Sequence, residues 1–399
     1  MNRLSDAELE DIKARNPLAE VAARYVPLRK MGRRMVGPCP VCGGSKSSVR
    51  FEVRDDGWVC AVCNDGGDVI RLVERADGVD FRGAIERLGG AQGVDAIRAA
   101  ELAAERDRKR AAREAEAAKY REAERKRLYR AWREAMPIHE TPAAAYLAGR
   151  GLALPAVCPG LRYLPKAPYF HGDEIDQGGR KTARVLHRGP AMLAAFIRAD
   201  GTFGGLHTTW LADDGACIAK LEISDPETGE ILPAKKMRGS KTGAFILVAK
   251  AATPVPRRLI IGEGIETVLA VYTAHVAAGR AVDDTAFWAA GDLGNLAGRA
   301  IETLAHPTLK RPDGRSERVA GPVPDPDQPG LSIPDGVTEL ILLGDGDSEP
   351  VLTSHAMTRA ARRYAKPGRT IRIAMAPAGM DFNDLLQGKR DEQADAGTE

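Results

Sequence analysis

The stretch Leu259-Ile260-Ile261-Gly262-Glu263-Gly264 ends a short apolar run in a carboxylate between two glycines. A helical pattern follows over residues 265–278, and three further apolar runs come after it. These runs also end in glycine and acidic residues: 285–290 before Gly291-Asp292, 339–343 before Gly344-Asp345-Gly346-Asp347, and 370–376 before Gly379-Met380-Asp381-Phe382-Asn383-Asp384. Short apolar runs that alternate with helical segments predict a parallel sheet covered by helices on both faces.

The acidic residues all follow the predicted strands, where the carboxyl ends of a parallel sheet bind ligands. We therefore expect Glu263, Asp345 and Asp347 to converge, with Asp381 and Asp384 beside them. Carboxylates held together repel one another, and Mg²⁺ or Mn²⁺ removes that cost because hard cations prefer oxygen ligands. The alternative is that these carboxylates cap helices and face solvent.

The order of these motifs resembles the Toprim domain, which bacterial-type primases, topoisomerases and some nucleases share. The matching residues are Glu263-Gly264, Asp345-Gly346-Asp347 and Asp381-Phe382-Asn383-Asp384. The resemblance covers the last third of the chain and implies metal-dependent phosphoryl chemistry on nucleic acid. It does not by itself choose among the activities of the family.

Composition sets broad limits on the protein class. The chain has 399 residues, 44% of them hydrophobic, which predicts two or three domains with real cores. A formal net charge of +3 is too small to indicate nucleic-acid binding without local clusters of charge. The sequence has no apolar run of membrane-spanning length and no N-terminal apolar signal region, so we expect a cytoplasmic protein without a membrane partner.

Four of the six cysteines form two close pairs, Cys39-Pro40-Val41-Cys42 and Cys60-Ala61-Val62-Cys63. The spacing C-x2-C-x17-C-x2-C fits a structural Zn²⁺ site with four thiolates and no open position. Alternating residues between the pairs predict strands joined by a turn at 55–57, so the module is predicted to be a zinc ribbon. Phe51 and Trp58 either fill its small core or stack on unpaired bases.

Residues 39–90 resemble the zinc-binding domain of bacterial replicative primases. The resemblance rests on the cysteine pairs, on Gly66-Gly67-Asp68-Val69-Ile70 and on the segment from Phe81 to Leu88. The family usually has histidine as its second ligand, where this chain has Cys42. The resemblance implies that the module binds the single-stranded DNA template.

The remaining segments complete a predicted α/β multidomain architecture. Residues 98–134 are rich in Ala, Glu, Arg and Lys without Gly or Pro, which predicts a long helix, most simply a solvated spacer. We therefore divide the chain into a zinc-ribbon DNA-binding domain (1–95), a charged helical connector (96–136), an α+β N-terminal part of a catalytic core (137–257) and a Toprim domain with a Rossmann-like parallel sheet (258–399). Residues 171–189 and 307–336 are predicted to be loops.

A basic segment precedes the first acidic motif. It contains Lys235, Lys236, Arg238 and Lys241 and is predicted to be a glycine-bearing loop between two strands. Such cations suit contacts with triphosphates or with the template backbone, and the alternative is a solvated charge run. The segment 236–242 resembles the basic segment of the bacterial primase polymerase domain. Glu-Gly-Ile-Glu-Thr at 263–267 resembles the first motif of Toprim proteins from phages and plasmids.

Together these features predict a DNA primase that makes short RNA primers on single-stranded DNA from nucleoside triphosphates. Nothing after Asp384 resembles the helicase-contacting domain of replicative primases, which points to a mobile-element protein and to a separate replicative helicase as partner. Two alternatives stay open: a Toprim metal-dependent nuclease and a non-catalytic zinc-bearing single-stranded DNA-binding protein. The chain has no G-x4-G-K-[ST] motif, which disfavours a helicase.

Overall fold

The computed structural model describes residues 4, 6–32, 34–45, 48–54, 57–90, 96–175, 181–213, 218–311, 314–328 and 330–388, and of residues 7, 96–103, 181 and 213 it describes the backbone alone. The chain divides into two compact units, Met1–Ala118 and Lys119–Glu399. The four-part division made from the sequence stays a prediction.

The first unit combines short helices with an antiparallel sheet in the order β1-β2-β3-β4-β5. Its elements are α1 (Asp6–Arg15), α2 (Leu18–Tyr25), β1 (Arg29–Met31), β2 (Arg34–Gly37), β3 (Phe51–Arg54), β4 (Gly57–Cys60), β5 (Asp65–Gly67), α3 (Val69–Asp77) and α4 (Phe81–Arg87). This confirms the predicted zinc-binding sheet, although positions 55 and 56 of its predicted turn lie outside the described residues.

The core of the first unit forms around two aromatic residues of the sheet. Phe51 and Trp58 are 0% and 3% exposed, and their ring centroids lie 5.5 Å apart. The Trp58 indole N–H donates to the carbonyl of Asp68 over 3.1 Å, and the Asp68 carboxylate caps α3. Because both rings are buried, they act as core residues and are not a platform for unpaired bases.

A 39-residue helix, α5 (Ala96–Glu134), confirms the predicted long helix. Ion pairs three and four residues apart, such as Arg125 with Glu122, support its exposed surface. The last turns differ from the expected solvated spacer, because Leu128 and Trp132 are buried with Leu206 in one apolar cluster. These two residues, four apart in sequence, form an apolar stripe that packs the end of α5 against the sheet within the second unit.

The second unit contains a mixed sheet of eleven strands, helices and two small hairpins. Its first elements are β6 (Met136–Pro137), α6 (Pro142–Gly149), β7 (Leu161–Ile175), β8 (Lys181–Ile197), β9 (Phe203–Asp213), β10 (Ile218–Lys220), β11 (Ile223–Ser224), β12 (Ile231–Leu232), β13 (Lys235–Gly239) and β14 (Phe245–Ala249). They continue with β15 (Arg258–Gly262), α7 (Ile265–Ala277), β16 (Thr285–Ala289), α8 (Leu293–Ala297), β17 (Thr303–Lys310), β18 (Ser316–Ala320), β19 (Glu339–Gly344), α9 (Pro350–Tyr364), β20 (Thr370–Met375) and α10 (Phe382–Leu386).

The predicted parallel sheet is present in the order β16-β15-β19-β20. It continues through the antiparallel strands β14, β8, β9 and β10, with β13 paired to β9. Along β15, Ile260 packs in one core cluster, whereas Leu259 and Ile261 pack in the other. Successive side chains of the strand point to opposite faces of the sheet. Because helices cover both faces, every position is apolar and the strand is one continuous apolar run in the sequence.

The loop predicted over residues 171–189 is wrong where the structure describes it. Strands β7 and β8 pair as a long antiparallel ribbon, with Asp173 opposite Ala183 and Tyr169 opposite His187. Residues 176–180 lie outside the described residues. These residues show no alternating apolar pattern, because the ribbon extends past the core and its register shifts at several bulges.

The second loop, predicted over residues 307–336, is also wrong in part. Strands β17 and β18 form a hairpin there, with a register shift between Ala305 and Lys310. Two arginines of α9 donate to backbone carbonyls of this region: Arg359 to Gly321 over 2.5 Å, and Arg363 to Gln328 over 2.6 Å. The Pro- and Gly-rich composition marked the turns and bulge, but these long-range contacts are not visible in sequence.

None of the helices in the described part of the chain combines the length and the apolar composition that crossing a bilayer requires.

Candidate functional sites

The four cysteines converge at one end of the first unit. Their sulfur atoms all lie within 4.8 Å of one another, with Cys39 and Cys63 3.6 Å apart and Cys42 and Cys60 3.7 Å apart. With Zn–S bonds of about 2.3 Å, the sulfurs of a tetrahedral site lie about 3.8 Å apart. The cluster therefore fits Zn²⁺, as the spacing predicts.

Local backbone geometry orients the thiolates. The N–H of Val41 points at the sulfur of Cys39, and the N–H of Cys63 points at the sulfur of Cys60, each over 3.4 Å. Such contacts favour the thiolate form that binds metal. Four thiolates fill a tetrahedral site, so the ion has a structural role and adds its binding free energy to the stability of the module.

In the second unit, the acidic motifs meet at the carboxyl ends of neighbouring parallel strands. Glu263 follows β15, and Asp345 and Asp347 follow β19, the adjacent strand. Burial raises the pKa of Glu263, and the negative charge of Asp347 raises it further. The sequence-predicted carboxylates thus lie close enough to interact, although about eighty residues separate Glu263 from the others.

Asp345 is the most perturbed member of this group. Burial raises its pKa to about 6; Thr267 opposes the shift, while Asp347, Asp381 and Glu263 increase it. One carboxylate oxygen accepts from the Thr267 hydroxyl over 3.0 Å, whereas the other, Oδ1, is buried without a hydrogen-bond partner. An unpartnered buried oxygen among like charges is the setting that a divalent cation stabilises.

The glycine between the two aspartates is required by close packing. A Cβ on Gly346 would lie 1.9 Å from the carbonyl oxygen of Pro377, and the Gly346 N–H donates to Met380 over 2.9 Å. This contact holds the third acidic motif against the second. Asp381 and Asp384 form a capping box at the start of α10, so capping is part of their role, and the charge of Asp381 still acts on Asp345.

Among the described residues, the cysteines are the only group of three or more potential ligands placed to surround a single ion. The carboxylates of Glu263, Asp345 and Asp347 interact without closing to that degree. The donor set consists of carboxylate oxygens alone. Its chemistry therefore fits Mg²⁺ or Mn²⁺, with substrate oxygens able to complete the coordination that the carboxylates begin.

Residues 235–239 of the predicted basic loop form strand β13, so the prediction is wrong there, whereas Lys241 lies in a turn that follows the strand. In β13, Lys235 pairs with Thr209 and Lys236 with Thr208 of β9. Cross-strand partners share a face and successive residues alternate, so Lys235 and Lys236 point to opposite faces of the sheet. The sequence indicated strands on either side but not through the segment, because the basic residues hide the alternation.

On one face, Lys235 contacts Glu266, a residue that sequence reasoning did not select. The Glu266 carboxylate lies 3.2 Å from Lys235, 3.6 Å from Lys220 and 3.2 Å from the hydroxyl of Tyr146, which donates to it. Burial would raise the pKa of Glu266, but Lys235 and Lys220 lower it to about 2. The available signal was one acidic residue in the first turn of the otherwise apolar α7.

His207 lies on the same face as Lys235. Burial and, to a smaller extent, the positive charge of Lys235 lower its pKa to about 4, so the imidazole is neutral at pH 7. The positive charges of Lys235 and Lys241 act in turn on Glu263, where they oppose the rise in its pKa. Two of the four predicted cations, Lys235 and Lys241, therefore lie near the carboxylates.

Lys241 follows β13 and pairs with Asp292 in the turn after β16. The side-chain amide of Asn295 bonds to the carbonyls of Ala244 and Ala290, each over 2.8 Å. Asn295 thereby fixes the Lys241 loop to the edge of the parallel sheet, although the sequence pattern did not identify it as a site residue.

Comparison with known protein families assigns the first unit. Residues 4–103 match the model described as CHC2 zinc finger. The N-terminal module is therefore similar to CHC2 zinc fingers. Residues 122–248 match a domain of unknown function, DUF7146. The zinc finger is of the type found in bacterial DNA primases, as the resemblance in sequence implies.

Curated relatives match less than a quarter of the chain in the two cases that follow. The DNA primase of Thermotoga maritima is 30% identical over 87 residues, which cover 22% of this chain and 15% of that protein. The DNA primase of Streptomyces coelicolor is 29% identical over 93 residues, covering 23% of this chain and 14% of that protein. The similarity thus spans about one seventh of each relative.

Solved structures of primases align over more of the chain at lower similarity. The Aquifex aeolicus primase, with zinc-binding and RNA polymerase domains, is 13% identical and covers 98% of this chain and 85% of its own, with a TM-score of 0.31. The primase fragment of the bacteriophage T7 primase-helicase is 12% identical and covers 90% and 97%, with a TM-score of 0.31. Because these TM-scores are low, the similarity to primases rests on the zinc-finger match of the first unit.

Proposed function

We propose that this chain is a DNA primase that joins nucleoside triphosphates into short RNA primers on a single-stranded DNA template. The observation that carries the proposal is a zinc finger of CHC2 type in the same chain as a carboxylate cluster in which Asp345 has a buried oxygen without a hydrogen-bond partner. Neither feature alone selects this activity, because Toprim-like carboxylates also suit hydrolysis.

In this proposal, Glu263, Asp345 and Asp347 hold Mg²⁺ or Mn²⁺, with Asp381 and Asp384 as further ligands. A cation held by these residues would lower the pKa of the attacking 3′-hydroxyl and would neutralise charge on the phosphoryl group. Lys235 and Lys241, beside the carboxylates, bind phosphates of the incoming nucleotide or the template. Glu266 fixes the position of Lys235, which lowers the entropy cost of phosphate binding.

The zinc finger, with its Zn²⁺ on Cys39, Cys42, Cys60 and Cys63, is proposed to bind the template. A separate replicative helicase is the proposed protein partner, a mobile element the proposed origin and the cytoplasm the proposed location. The division into domains at residues 95, 136 and 257 belongs to the same proposal. Lys236 and Arg238 are also predicted to bind nucleotide or template, and they lie on the face of the sheet opposite Lys235.

The test is product analysis on a denaturing gel. Purified protein is incubated with mixed-sequence single-stranded DNA, Mg²⁺ or Mn²⁺ and labelled nucleoside triphosphates. We expect short labelled products from the unaltered protein and none from Asp345→Ala/Asp347→Ala, whose zinc content and thermal unfolding should match the parent. Shortened DNA without labelled product would instead identify a nuclease, and intact DNA without product would favour a binding protein.

A further inference from the structure

A cavity of about 400 Å³ opens on the second unit, between the last turns of α5 and strands β7, β9 and β13. We call it the β13 cavity. Its volume lies in the range of small-ligand sites in proteins. Arg127, Lys236 and Arg238 line it together with Phe170 and Trp210.

The β13 cavity lies on the face of the sheet opposite the Lys235–Glu266 contact. Lys236 and Arg238 pair with Thr208 and Leu206 of β9, whereas Lys235 pairs with Thr209, one position out of phase. Leu206 packs with Leu128 of α5, which confirms that this face carries the helix end. The cavity is therefore separate from the carboxylate cluster and from its basic border.

The charges around the cavity leave it positive. Arg127 and Arg238 share one carboxylate, that of Glu124, with distances of 2.9 Å each. Lys236 has no carboxylate in contact among the described residues, and its ammonium donates to the carbonyl of Phe170 over 2.6 Å. Three cations thus face one anion, which favours a ligand with negative charge.

Lys236 is held in place although its environment disfavours its charge. Burial lowers its pKa, and the positive charge of Arg238 lowers it further. Its ammonium lies 3.7 Å from the ring centroid of Tyr169, a cation–π contact that partly offsets this cost. An anion between Lys236 and Arg238 would remove the remaining repulsion.

The other part of the cavity wall is apolar and aromatic. The guanidinium groups of Arg127 and Arg238 lie 5.3 and 5.2 Å from the ring centroid of Phe170. Leu164 and Trp210 also line the cavity. Flat guanidinium and aromatic surfaces stack on planar rings, and guanidinium groups also bind phosphate through paired hydrogen bonds.

We propose that the β13 cavity binds one nucleotide, with its phosphate at Arg127, Lys236 and Arg238 and its base against the apolar wall. The ligand is either a free nucleotide or one unit of a nucleic-acid strand, since both present the same chemistry. The inference goes beyond the proposed polymerase activity, because it concerns a second site that does not use the carboxylates.

The experiment measures binding in the Asp345→Asn/Asp347→Asn background without added divalent cation, so that the carboxylate site does not contribute. Equilibrium dialysis uses labelled deoxyadenosine 5′-monophosphate and, separately, a labelled five-residue oligo(dA). Arg127→Gln and Lys236→Gln are the test variants. Lys126→Gln is the matched control, since it removes the same charge from the same helical turn at a side chain paired with Glu122 and outside the cavity.

We expect both test variants to weaken binding of a probe at least tenfold, and Lys126→Gln to change it less than twofold. Deoxyadenosine, which lacks the phosphate, should bind at least tenfold more weakly than the monophosphate. An effect on the monophosphate identifies a free-nucleotide site, and an effect on the oligonucleotide alone identifies a strand site. The proposal is overturned if neither probe binds at millimolar concentration, or if the test and control variants bind alike while all unfold at the same temperature.

Discussion

The cysteine cluster and the carboxylate cluster both place like charges close together, but different structural elements bring their residues together. Two tight turns bring four sulfurs within 4.8 Å in a unit whose sheet has five short strands. The carboxylates instead come from separate strands of an eleven-stranded sheet with two large apolar cores. The first site is complete in itself, whereas the second brings Glu263, Asp345 and Asp347 near one another without enclosing an ion.

This difference predicts different dependence on metal. The first unit has a small core, so its folding is linked to Zn²⁺ binding. The second unit is held by its sheet and cores, so it can tolerate repulsion between carboxylates in the absence of an ion. A site that stores such repulsion is suited to bind and release a cation with each substrate, and a thiolate site is suited to keep its ion.

The largest expected effect comes from breaking the thiolate site. Cys60→Ser should lose zinc and unfold the first unit, because structural Zn²⁺ contributes about 10–16 kcal/mol of apparent binding free energy in small modules. Zinc content and hydrogen exchange over residues 6–88 would report this. Cys158→Ser is the control: its thiol donates to the carbonyl of Val248 in the second unit, as a hydroxyl also can. Loss of protection in both units would contradict the comparison.

A smaller effect is expected at Glu266. Glu266→Gln leaves Lys220 and Lys235 without their carboxylate and should lower the free energy of unfolding of the second unit by about 1–3 kcal/mol, below the usual cost of breaking a buried pair because both lysines are partly solvated. The pKa of Glu266 is lowered to about 2, so its stabilisation is present above about pH 4.5 and is lost as the pH falls towards 2. Denaturant unfolding between pH 2 and 7 measures this slope. Equal slopes in parent and variant would refute it.

The smallest effect has the opposite sign. Asp345→Asn removes repulsion and should raise the free energy of unfolding at pH 7, without divalent cation, by about 1–2 kcal/mol. Because the folded pKa is raised to about 6, the contribution of Asp345 to stability grows as the pH falls from about 6 to 4 and is lost as the pH rises. Thermal unfolding at pH 4 and 7 tests this: the gain should be present at pH 7 and absent at pH 4. A loss of stability at pH 7 would show that Asp345 is not repelled.

Local patterns in the sequence predicted the zinc site and the parallel strands well. Each cysteine pair lies within one turn, so its spacing is visible in the sequence. The carboxyl ends of parallel strands share one edge of the sheet, so the proximity of Glu263 and Asp345 could also be predicted. The partners of β13 could not be predicted from local patterns, because its pairing with β9 is a long-range contact. The opposite directions of Lys235 and Lys236, and the burial of Glu266 beneath Tyr146, follow from that pairing and from the packing of α6 and α7.

The capping box at the start of α10 shows a second limit of prediction from the sequence. Asp381 and Asp384 follow the acidic pattern, and their spacing equally fits the start of a helix, which is where the structure places them. A motif of carboxylates therefore does not separate ligands from caps. The contact of Gly346 with the loop before α10 is what relates Asp381 to Asp345, and it depends on the tertiary fold.

The most direct test measures both metals in the same molecules. The protein is dialysed against Mn²⁺, and zinc and manganese per chain are determined in the parent and in Asp345→Ala/Asp347→Ala. We predict one zinc in both proteins, with bound manganese in the parent alone. Equal manganese in the two proteins, with zinc unchanged, would contradict the claim that these carboxylates form the exchangeable metal site.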